Sequence, residues 1–127
     1  MLRVLVVEDS SAMRAFVRAA LEDTGADVSE ASSGFEALRL LPREPWELVV
    51  VDINMPDING LELIAFMRKS EQHGATPVIL ISTEASARDR QRGLDLGADA
   101  FLSKPFGADA LTTLVRDVLE RRAGGAG

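Results

Sequence analysis

Five polar side chains that could take part in chemistry stand at the ends of short apolar runs. Glu8 and Asp9 follow one run, Asp52 and Ser82 follow two others, and Lys104 follows the last. Together they would suit a hard divalent cation and a phosphoryl group, because Mg²⁺ takes oxygen ligands and is usually held by one or two carboxylates with water. Taken singly, each could equally be a helix-terminal acid, a turn residue or a solvated charge. The chemical interpretation therefore depends on whether the fold brings them together.

The apolar runs are predicted to be short strands. Residues 48–51 are four consecutive apolar residues, three of them β-branched, which is typical of a strand buried on both faces of a parallel sheet. Residues 78–81 form a similar run, residues 3–7 are apolar and β-branched, residues 100–103 predict the last short strand, and residues 26–31 predict a strand at an edge.

Apolar residues at helical spacing predict a helix after each strand. Ser33 and Glu36 predict a capping box for the second helix, and Arg88, Arg90 and Arg92 predict a polar exposed face on the fourth. The residues predicted to face inward are Met13, Phe16, Val17, Ala20 and Leu21 in the first helix, Phe35, Leu38 and Leu41 in the second, Leu63, Ile64 and Met67 in the third, and Leu111, Leu114, Val115, Val118 and Leu119 in the fifth.

The alternation of strands and helices predicts an α/β fold, a three-layer sandwich of one parallel sheet between helices with right-handed crossovers. Parallel strands end at the same edge of their sheet, and open α/β sheets bind their ligands there. The polar residues at the strand ends are therefore expected to converge on one site.

Composition limits the classes of function. The chain has 127 residues, a net charge of -6 and no cysteine, so we expect one domain without disulfides that does not bind nucleic acid directly. The apolar run at the N-terminus is too short for a signal peptide or a membrane span, which predicts a soluble cytoplasmic protein without membrane association. Residues 122–127 are rich in glycine and alanine and are expected to be a disordered tail.

Four motifs carry a resemblance to a known family. They are Val-Val-Glu-Asp-Ser at residues 6–10, Val-Asp-Ile-Asn-Met-Pro at 51–56, Pro-Val-Ile-Leu-Ile-Ser at 77–82 and Ser-Lys-Pro-Phe at 103–106. From residue 4 to about residue 119 the chain resembles a receiver domain of the two-component response regulators, most like the single-domain chemotaxis type. The resemblance implies a receiver domain over residues 1–121 and a flavodoxin-like, doubly wound sheet of five strands in the order 2-1-3-4-5 with five helices.

The resemblance also implies a role for each acid of the site. Asp52 would be the phosphoacceptor, a carboxylate nucleophile that forms an aspartyl phosphate. Asp9, Asp52 and the backbone carbonyl of Asn54 would bind Mg²⁺ directly, and Glu8 would bind it through water. The cation would offset repulsion among the carboxylates and withdraw charge from the phosphoryl oxygens.

The remaining site residues are assigned in the same way. Lys104 would pair with a phosphoryl oxygen, and Ser82 would donate a hydrogen bond to another. The peptide bond between Lys104 and Pro105 is expected to be cis. Phe101 occupies the aromatic switch position and would turn into space that Ser82 vacates, which would alter a surface formed by the fourth helix, fifth strand and fifth helix.

The expected function is a phosphorylation-dependent switch of a two-component phosphorelay, not a conventional enzyme, although the domain takes part in its own phosphorylation and dephosphorylation. One expected partner is a histidine kinase or phosphotransfer protein. The other is a downstream protein, or a second copy of the chain, which would bind the surface formed by the fourth helix, fifth strand and fifth helix. Arg88, Arg90 and Arg92 favour an acidic partner there, although each alone could simply solvate the helix.

Two alternatives remain open. The domain could be the N-terminal receiver module of a longer regulator with a DNA-binding or enzymatic output domain. It could also be a flavodoxin-like binding module or a phosphohydrolase that shares only the fold. Glu8 and Asp9 would repel a flavin phosphate, and a dehalogenase-like phosphatase would carry its nucleophilic aspartate on the first strand, so this second alternative is disfavoured.

Overall fold

The computed structural model describes residues 2–83 and 87–125, where strands and helices alternate as predicted. The strands are β1 (Arg3–Val7), β2 (Asp27–Ala31), β3 (Leu48–Asp52), β4 (Val78–Ser82) and β5 (Ala100–Ser103). The helices are α1 (Ser11–Glu22), α2 (Gly34–Leu40), α3 (Gly60–Lys69), α4 (Ala87–Asp95) and α5 (Ala108–Gly125), with a short 3₁₀ turn at Leu41–Arg43. None of these described helices has both the length and the apolar character that crossing a membrane requires.

The strands pair in parallel in the order β2-β1-β3-β4-β5, which confirms the predicted doubly wound sheet. Helices α1 and α5 cover one face, and α2, α3 and α4 cover the other. Every residue of β3 and β4 is buried, because these strands lie inside the sheet with helices on both sides.

The pairing register aligns the strand ends that carry polar residues. Val7 pairs with Val51, so Glu8 follows β1 in the same row as Asp52. Asp52 pairs with Ile81, which places Ser82 one residue further along the neighbouring strand. The carboxyl edge of the sheet is therefore where the candidate site residues meet.

Two aromatic side chains predicted to face inward lie at the surface. Phe35 is 61% exposed, because Gly34 forms the buried contact of the first turn of α2 and the next residue points about 100° away around the helix. Phe16 is 38% exposed, and its ring packs against Phe106 with the ring centroids 6.0 Å apart.

The capping box predicted for α2 is incomplete. Ser33 Oγ accepts a hydrogen bond from the Glu36 amide at 3.1 Å, but the Glu36 carboxylate accepts one from Ser32 instead of returning to Ser33. A complete box begins α3, where Asn59 and Glu62 exchange hydrogen bonds between side chain and backbone. This box starts α3 immediately after the loop that follows β3.

The disordered tail predicted from Arg122 is wrong for the residues that the structure describes. Helix α5 continues through this position to Gly125, and Ala126 and Gly127 lie outside the described residues. The helix is held because Arg122 donates two hydrogen bonds to Asp99, at 2.7 and 3.1 Å. That partner is distant in sequence and could not be foreseen from the glycine-rich composition.

Gly60 begins α3 directly against the end of β3. A Cβ atom there would lie 2.7 Å from the carbonyl oxygen of Asp52 and 2.9 Å from the Cα atom of Ile53. Since these are backbone atoms, we expect Gly60→Ala to lower the free energy of unfolding by about 1–3 kcal/mol, measured by urea denaturation. Gly107→Ala is the control, because a Cβ there meets open space. A Gly60→Ala variant as stable as the Gly107→Ala variant would contradict this contact.

Glu30 on β2 ties α1 to the edge of the sheet by accepting hydrogen bonds from Arg18 at 2.5 Å and Arg14 at 2.8 Å. The hydrogen bond from Arg18 lowers the pKa of Glu30 most, burial opposes the shift, and Arg14 adds to the lowering. Because the pKa is lower in the folded protein, ionised Glu30 stabilises the fold above the ordinary glutamate pKa. This contribution is lost as the pH falls through the lowered value.

We therefore expect Glu30→Gln to lower the free energy of unfolding at neutral pH by about 1 kcal/mol or less. The difference from the unmodified protein should vanish on acidification, as followed by urea denaturation over a pH series. Glu22→Gln is the matched control, because Glu22 also pairs with Arg18 but its side chain is 46% exposed, so its loss should be smaller. A loss in Glu30→Gln that did not change with pH would argue against the ion pairs as its cause.

Candidate functional site

Three carboxylates meet at the carboxyl edge of the sheet, where β1 and β3 end. One oxygen atom from each of Glu8, Asp9 and Asp52 lies within 4.8 Å of the others. Glu8 is fully buried and Asp52 is 2% exposed, whereas Asp9 is exposed. The parallel pairing of β1 with β3 thus brings together acids that are distant in the sequence.

Lys104 is the cation that faces the two buried carboxylates. Its Nζ atom lies 2.6 Å from Glu8 Oε1 and 3.3 Å from Asp52 Oδ2. Burial alone would lower the pKa of Lys104, but the hydrogen bond that Lys104 donates to Glu8 and the charges of Asp52 and Glu8 outweigh it and raise that pKa. Lys104 follows β5, and its peptide bond to Pro105 is cis.

The negative charge of the site exceeds what one ammonium group can neutralise. Loss of water raises the pKa of Asp9, and the hydrogen bond and charge of the neighbouring Glu8 raise it further. A raised pKa means that the ionised carboxylate is disfavoured beside a like charge. A second cation near Asp9 would remove this penalty.

Asn54 connects Asp52 to Ser82. The backbone N–H of Asn54 donates to Asp52 Oδ1 at 3.1 Å, and its side-chain Oδ1 accepts a hydrogen bond from Ser82 Oγ at 2.7 Å. Ser82 is fully buried at the end of β4, the strand that pairs with β3. The hydroxyl therefore lies next to the carboxylate cluster but is held by Asn54.

Glu8 is fixed through both its side chain and its backbone. The Ser10 amide donates to Glu8 Oε2 at 3.1 Å, so with Lys104 on Oε1 both carboxylate oxygens already accept hydrogen bonds. Arg14 donates to the Glu8 backbone carbonyl at 2.8 Å and pairs with Glu30. These contacts hold the connection between β1 and α1 against the sheet.

Phe101 lies on β5 beneath α4 and is 8% exposed, packed in the core on that face of the sheet. The guanidinium of Arg90 lies 6.0 Å from the centroid of its ring. Arg88, Arg90 and Arg92 are exposed on α4, as the polar pattern predicted. An aromatic residue of the core thus lies beneath Arg90 of α4.

The chemistry of the donor set fits a hard divalent cation. The three acids supply oxygen donors, Asp9 has an exposed carboxylate, and the cluster retains excess negative charge. Lys104 Nζ lies nearer to Glu8, at 2.6 Å, than to Asp52, at 3.3 Å, and Asp9 is exposed, which leaves Asp9 and Asp52 as the carboxylates better able to contact such an ion.

The structure brings together the predicted residues Glu8, Asp9, Asp52 and Lys104 and places Ser82 beside them. Sequence reasoning missed the side chain of Asn54, which it considered only for its backbone carbonyl. Arg14 and Asp57 were also missed. The position of Asp57 after a proline is typical of a turn residue, and its contact with the distant α2 leaves no local signal in the sequence.

Comparison with known proteins identifies the family. The model of the response regulator receiver domain matches residues 4–116. The KDP operon transcriptional regulatory protein KdpE of Escherichia coli is 39% identical over 123 residues, which cover 97% of this chain and 53% of that protein. A probable transcriptional regulatory protein of Picosynechococcus is 38% identical, with 94% of this chain and 50% of that protein covered. The chain therefore spans about half the length of these relatives.

Solved structures share the fold over almost their whole length. A chemotaxis response regulator of Vibrio cholerae has a TM-score of 0.88 and 34% identity, covering 93% of this chain and 98% of that one. The receiver domain of the Francisella response regulator 1452 has a TM-score of 0.87 and 34% identity, with coverages of 96% and 99%. Since the family model also covers most of this chain, the chain belongs to the response regulator receiver domains of two-component systems.

Proposed function

We propose that the chain is a phosphorylation-dependent signalling switch, which accepts a phosphoryl group on Asp52 from a histidine kinase or phosphotransfer protein with the help of Mg²⁺. The observation that carries this proposal is the buried Asp52 between two further carboxylates and the Lys104 ammonium group. The chain would take part in its own phosphorylation and dephosphorylation without being a conventional enzyme.

Asp52 is the nucleophile in this proposal. One of its carboxylate oxygens attacks phosphorus, the bond from phosphorus to the donor breaks, and the bonding electrons leave with the donor. The Asn54 amide on Oδ1 and the Lys104 ammonium group near Oδ2 hold the carboxylate in one orientation. The protein therefore contributes mainly positioning and charge neutralisation to the transfer.

Asp9, Asp52 and the backbone carbonyl of Asn54 are the proposed direct ligands of Mg²⁺, and Glu8, which is fully buried with one oxygen 2.6 Å from the Lys104 ammonium group, would act through water. When bound, Mg²⁺ supplies the positive charge that offsets repulsion between the carboxylates and the incoming phosphoryl oxygens. Ionised Asp9 would then no longer face Glu8 without a compensating cation.

Lys104 and Ser82 respond to the phosphoryl group. Lys104 already contacts Asp52 and, as a compact charge, would pair with a phosphoryl oxygen. Ser82 would exchange its hydrogen bond to Asn54 for one to another phosphoryl oxygen, a stronger charge-assisted acceptor. This exchange is the first structural consequence of phosphorylation in the proposal.

The signal is proposed to leave through the surface formed by α4, β5 and α5. Movement of Ser82 frees space beneath α4, and Phe101 turns into it, which changes the contact of its ring with Arg90. A phosphoryl group can shift such an equilibrium because it binds the two arrangements with different free energy. Exposed Arg88, Arg90 and Arg92 suit an acidic downstream protein or a second copy of the chain.

Two contexts for the switch are compatible with this chemistry. The domain could signal alone, or it could be the N-terminal receiver module of a longer regulator with a DNA-binding or enzymatic output domain. The second context is supported by the observation that the chain spans about half of relatives described as transcriptional regulators. A cytoplasmic location is part of either proposal, and this domain itself would contact neither nucleic acid nor a membrane, in keeping with an acidic chain without cysteine.

Phosphorylation tests the assignment of the acids. With acetyl phosphate and Mg²⁺, we expect the intact protein to gain the mass of one phosphoryl group, located at Asp52 by peptide mass spectrometry. Asp52→Asn should abolish the gain, because it removes the nucleophile. Asp9→Asn should weaken Mg²⁺ binding at least about tenfold, because it removes an anionic ligand.

Asp117→Asn is the control for these variants, because it removes an exposed carboxylate of α5 outside the site. It should phosphorylate like the unmodified protein. Unchanged phosphorylation of Asp52→Asn, or unchanged Mg²⁺ affinity of Asp9→Asn, would reject the role of that residue.

Phe101 tests the route of the signal. We expect beryllofluoride with Mg²⁺ to shift amide resonances of the unmodified protein from the acidic site into α4, β5 and α5. In Phe101→Leu, which keeps most of the apolar volume in the core, phosphorylation should persist while the distant shifts shrink. Shifts confined to the acidic site in the unmodified protein would mean that it binds a phosphoryl group without switching. Equal distant shifts in both proteins would exclude Phe101 from the route.

A further inference from the structure

The β3–α3 loop, residues 53–59, is fastened to the beginning of α2 by one carboxylate. Asp57 Oδ1 accepts a hydrogen bond from the Gly34 amide at 3.2 Å, and Oδ2 accepts one from the Phe35 amide at 2.9 Å. These two amides belong to the first turn of α2, where backbone N–H groups lack partners within the helix. Asp57 thus satisfies α2 and anchors the loop in the same contact.

A close backbone approach at Gly34 supports the same anchor. A Cβ atom at Gly34 would lie 2.6 Å from both the carbonyl oxygen and the Cβ atom of Ile58. Only glycine allows the loop to come this near to α2. The hydrogen bonds of Asp57 and the packing of Ile58 are therefore two independent contacts that hold the loop at its far end.

The near end of the loop is fixed to the sheet and to α3. The Ile53 amide donates to the Ile81 carbonyl at 2.9 Å, and the Ile53 carbonyl accepts from the Gly60 amide at 3.1 Å. Asn54 therefore lies in a short span between the Ile53 anchor and the Asp57 anchor. Its backbone amide also donates to Asp52 Oδ1, so the loop carries the group that orients the phosphoacceptor.

The position of a metal ligand on the backbone depends on the position of its loop more than that of a ligand on a side chain does. Asp9 can adjust its carboxylate by rotating about side-chain bonds, but the Asn54 carbonyl moves only when the loop moves. Building on the proposed function, we infer that Asp57 is a positioning residue, which sets the Asn54 carbonyl for the divalent cation by fastening the β3–α3 loop to α2.

Asp57→Ala and Ser33→Ala form a matched pair that separates positioning from helix stability. Each removes a side-chain acceptor from the first turn of α2, because Ser33 Oγ accepts from the Glu36 amide, but only Asp57 belongs to the loop. Both variants should unfold at a lower temperature than the unmodified protein. Only Asp57→Ala should weaken Mg²⁺ binding, by about tenfold in a calorimetric titration.

Hydrogen exchange reports directly whether each contact has been lost. Asp57→Ala should speed exchange of the Gly34 and Phe35 amides, and Ser33→Ala should speed exchange of the Glu36 amide. In Asp57→Asn one of the two carboxylate oxygens is replaced by an NH₂ group, which cannot accept from the backbone amide it faces, so the Mg²⁺ affinity should lie between those of Asp57→Ala and the unmodified protein.

The outcomes distinguish this inference from the function on which it rests. If the unmodified protein binds no Mg²⁺, the proposed function fails and the inference falls with it. If the unmodified protein binds Mg²⁺ and Asp57→Ala binds it equally well despite faster exchange at Phe35, only the inference is overturned. Equal weakening in Ser33→Ala would also overturn it, because the effect would then follow from the stability of α2.

Discussion

Two buried carboxylates share one lysine at the carboxyl edge of the sheet. The rest of the site depends on this excess of negative over positive charge. Glu8 and Asp52 are almost without solvent, so each must be compensated by a charge or by hydrogen bonds to remain ionised. Lys104 contacts both but carries a single positive charge. With Asp9 beside them, the site keeps a negative charge that a divalent cation would relieve.

The fold tolerates this charge because it is confined to the strand ends. The central strands β1, β3 and β4 are almost wholly apolar and buried, and their cores on both faces of the sheet hold the backbone rigidly. Polar side chains begin where the strands stop pairing. Charged contacts that would be costly inside the core therefore lie at one edge of the sheet. The stability of the sheet itself comes from its apolar cores.

Asn54 makes the site continuous with the elements that could carry a signal. Its backbone reaches Asp52, its side chain holds Ser82 at the end of β4, and its loop is anchored on α2 through Asp57. Under the proposed function, a change at Asp52 would thus have two physical routes outward, one across β4 toward Phe101 and one along the β3–α3 loop toward α2.

At the opposite edge of the sheet, Asp99 forms ion pairs with Arg68 and Arg122 and holds the start of β5.

The sequence by itself determined the alternation of strands and helices along the chain, and with it the parallel sheet. It also determined which acids, lysine and hydroxyl lie at the edge of that sheet. Apolar periodicity and polar residues at strand ends are local patterns, so they can be recognised without the tertiary structure. The order of the strands in space and the roles of the site residues came from the resemblance of four motifs to receiver domains. Only the tertiary structure decided that Phe35 is exposed, that α5 continues past Arg122, and that Arg14, Asp57 and the Asn54 side chain support the site. Each of these features depends on a partner that is distant in the chain, such as Ile58 for Gly34 or Asp99 for Arg122. Because the packing of the whole sheet brings the two partners together, no local sequence pattern encodes the contact.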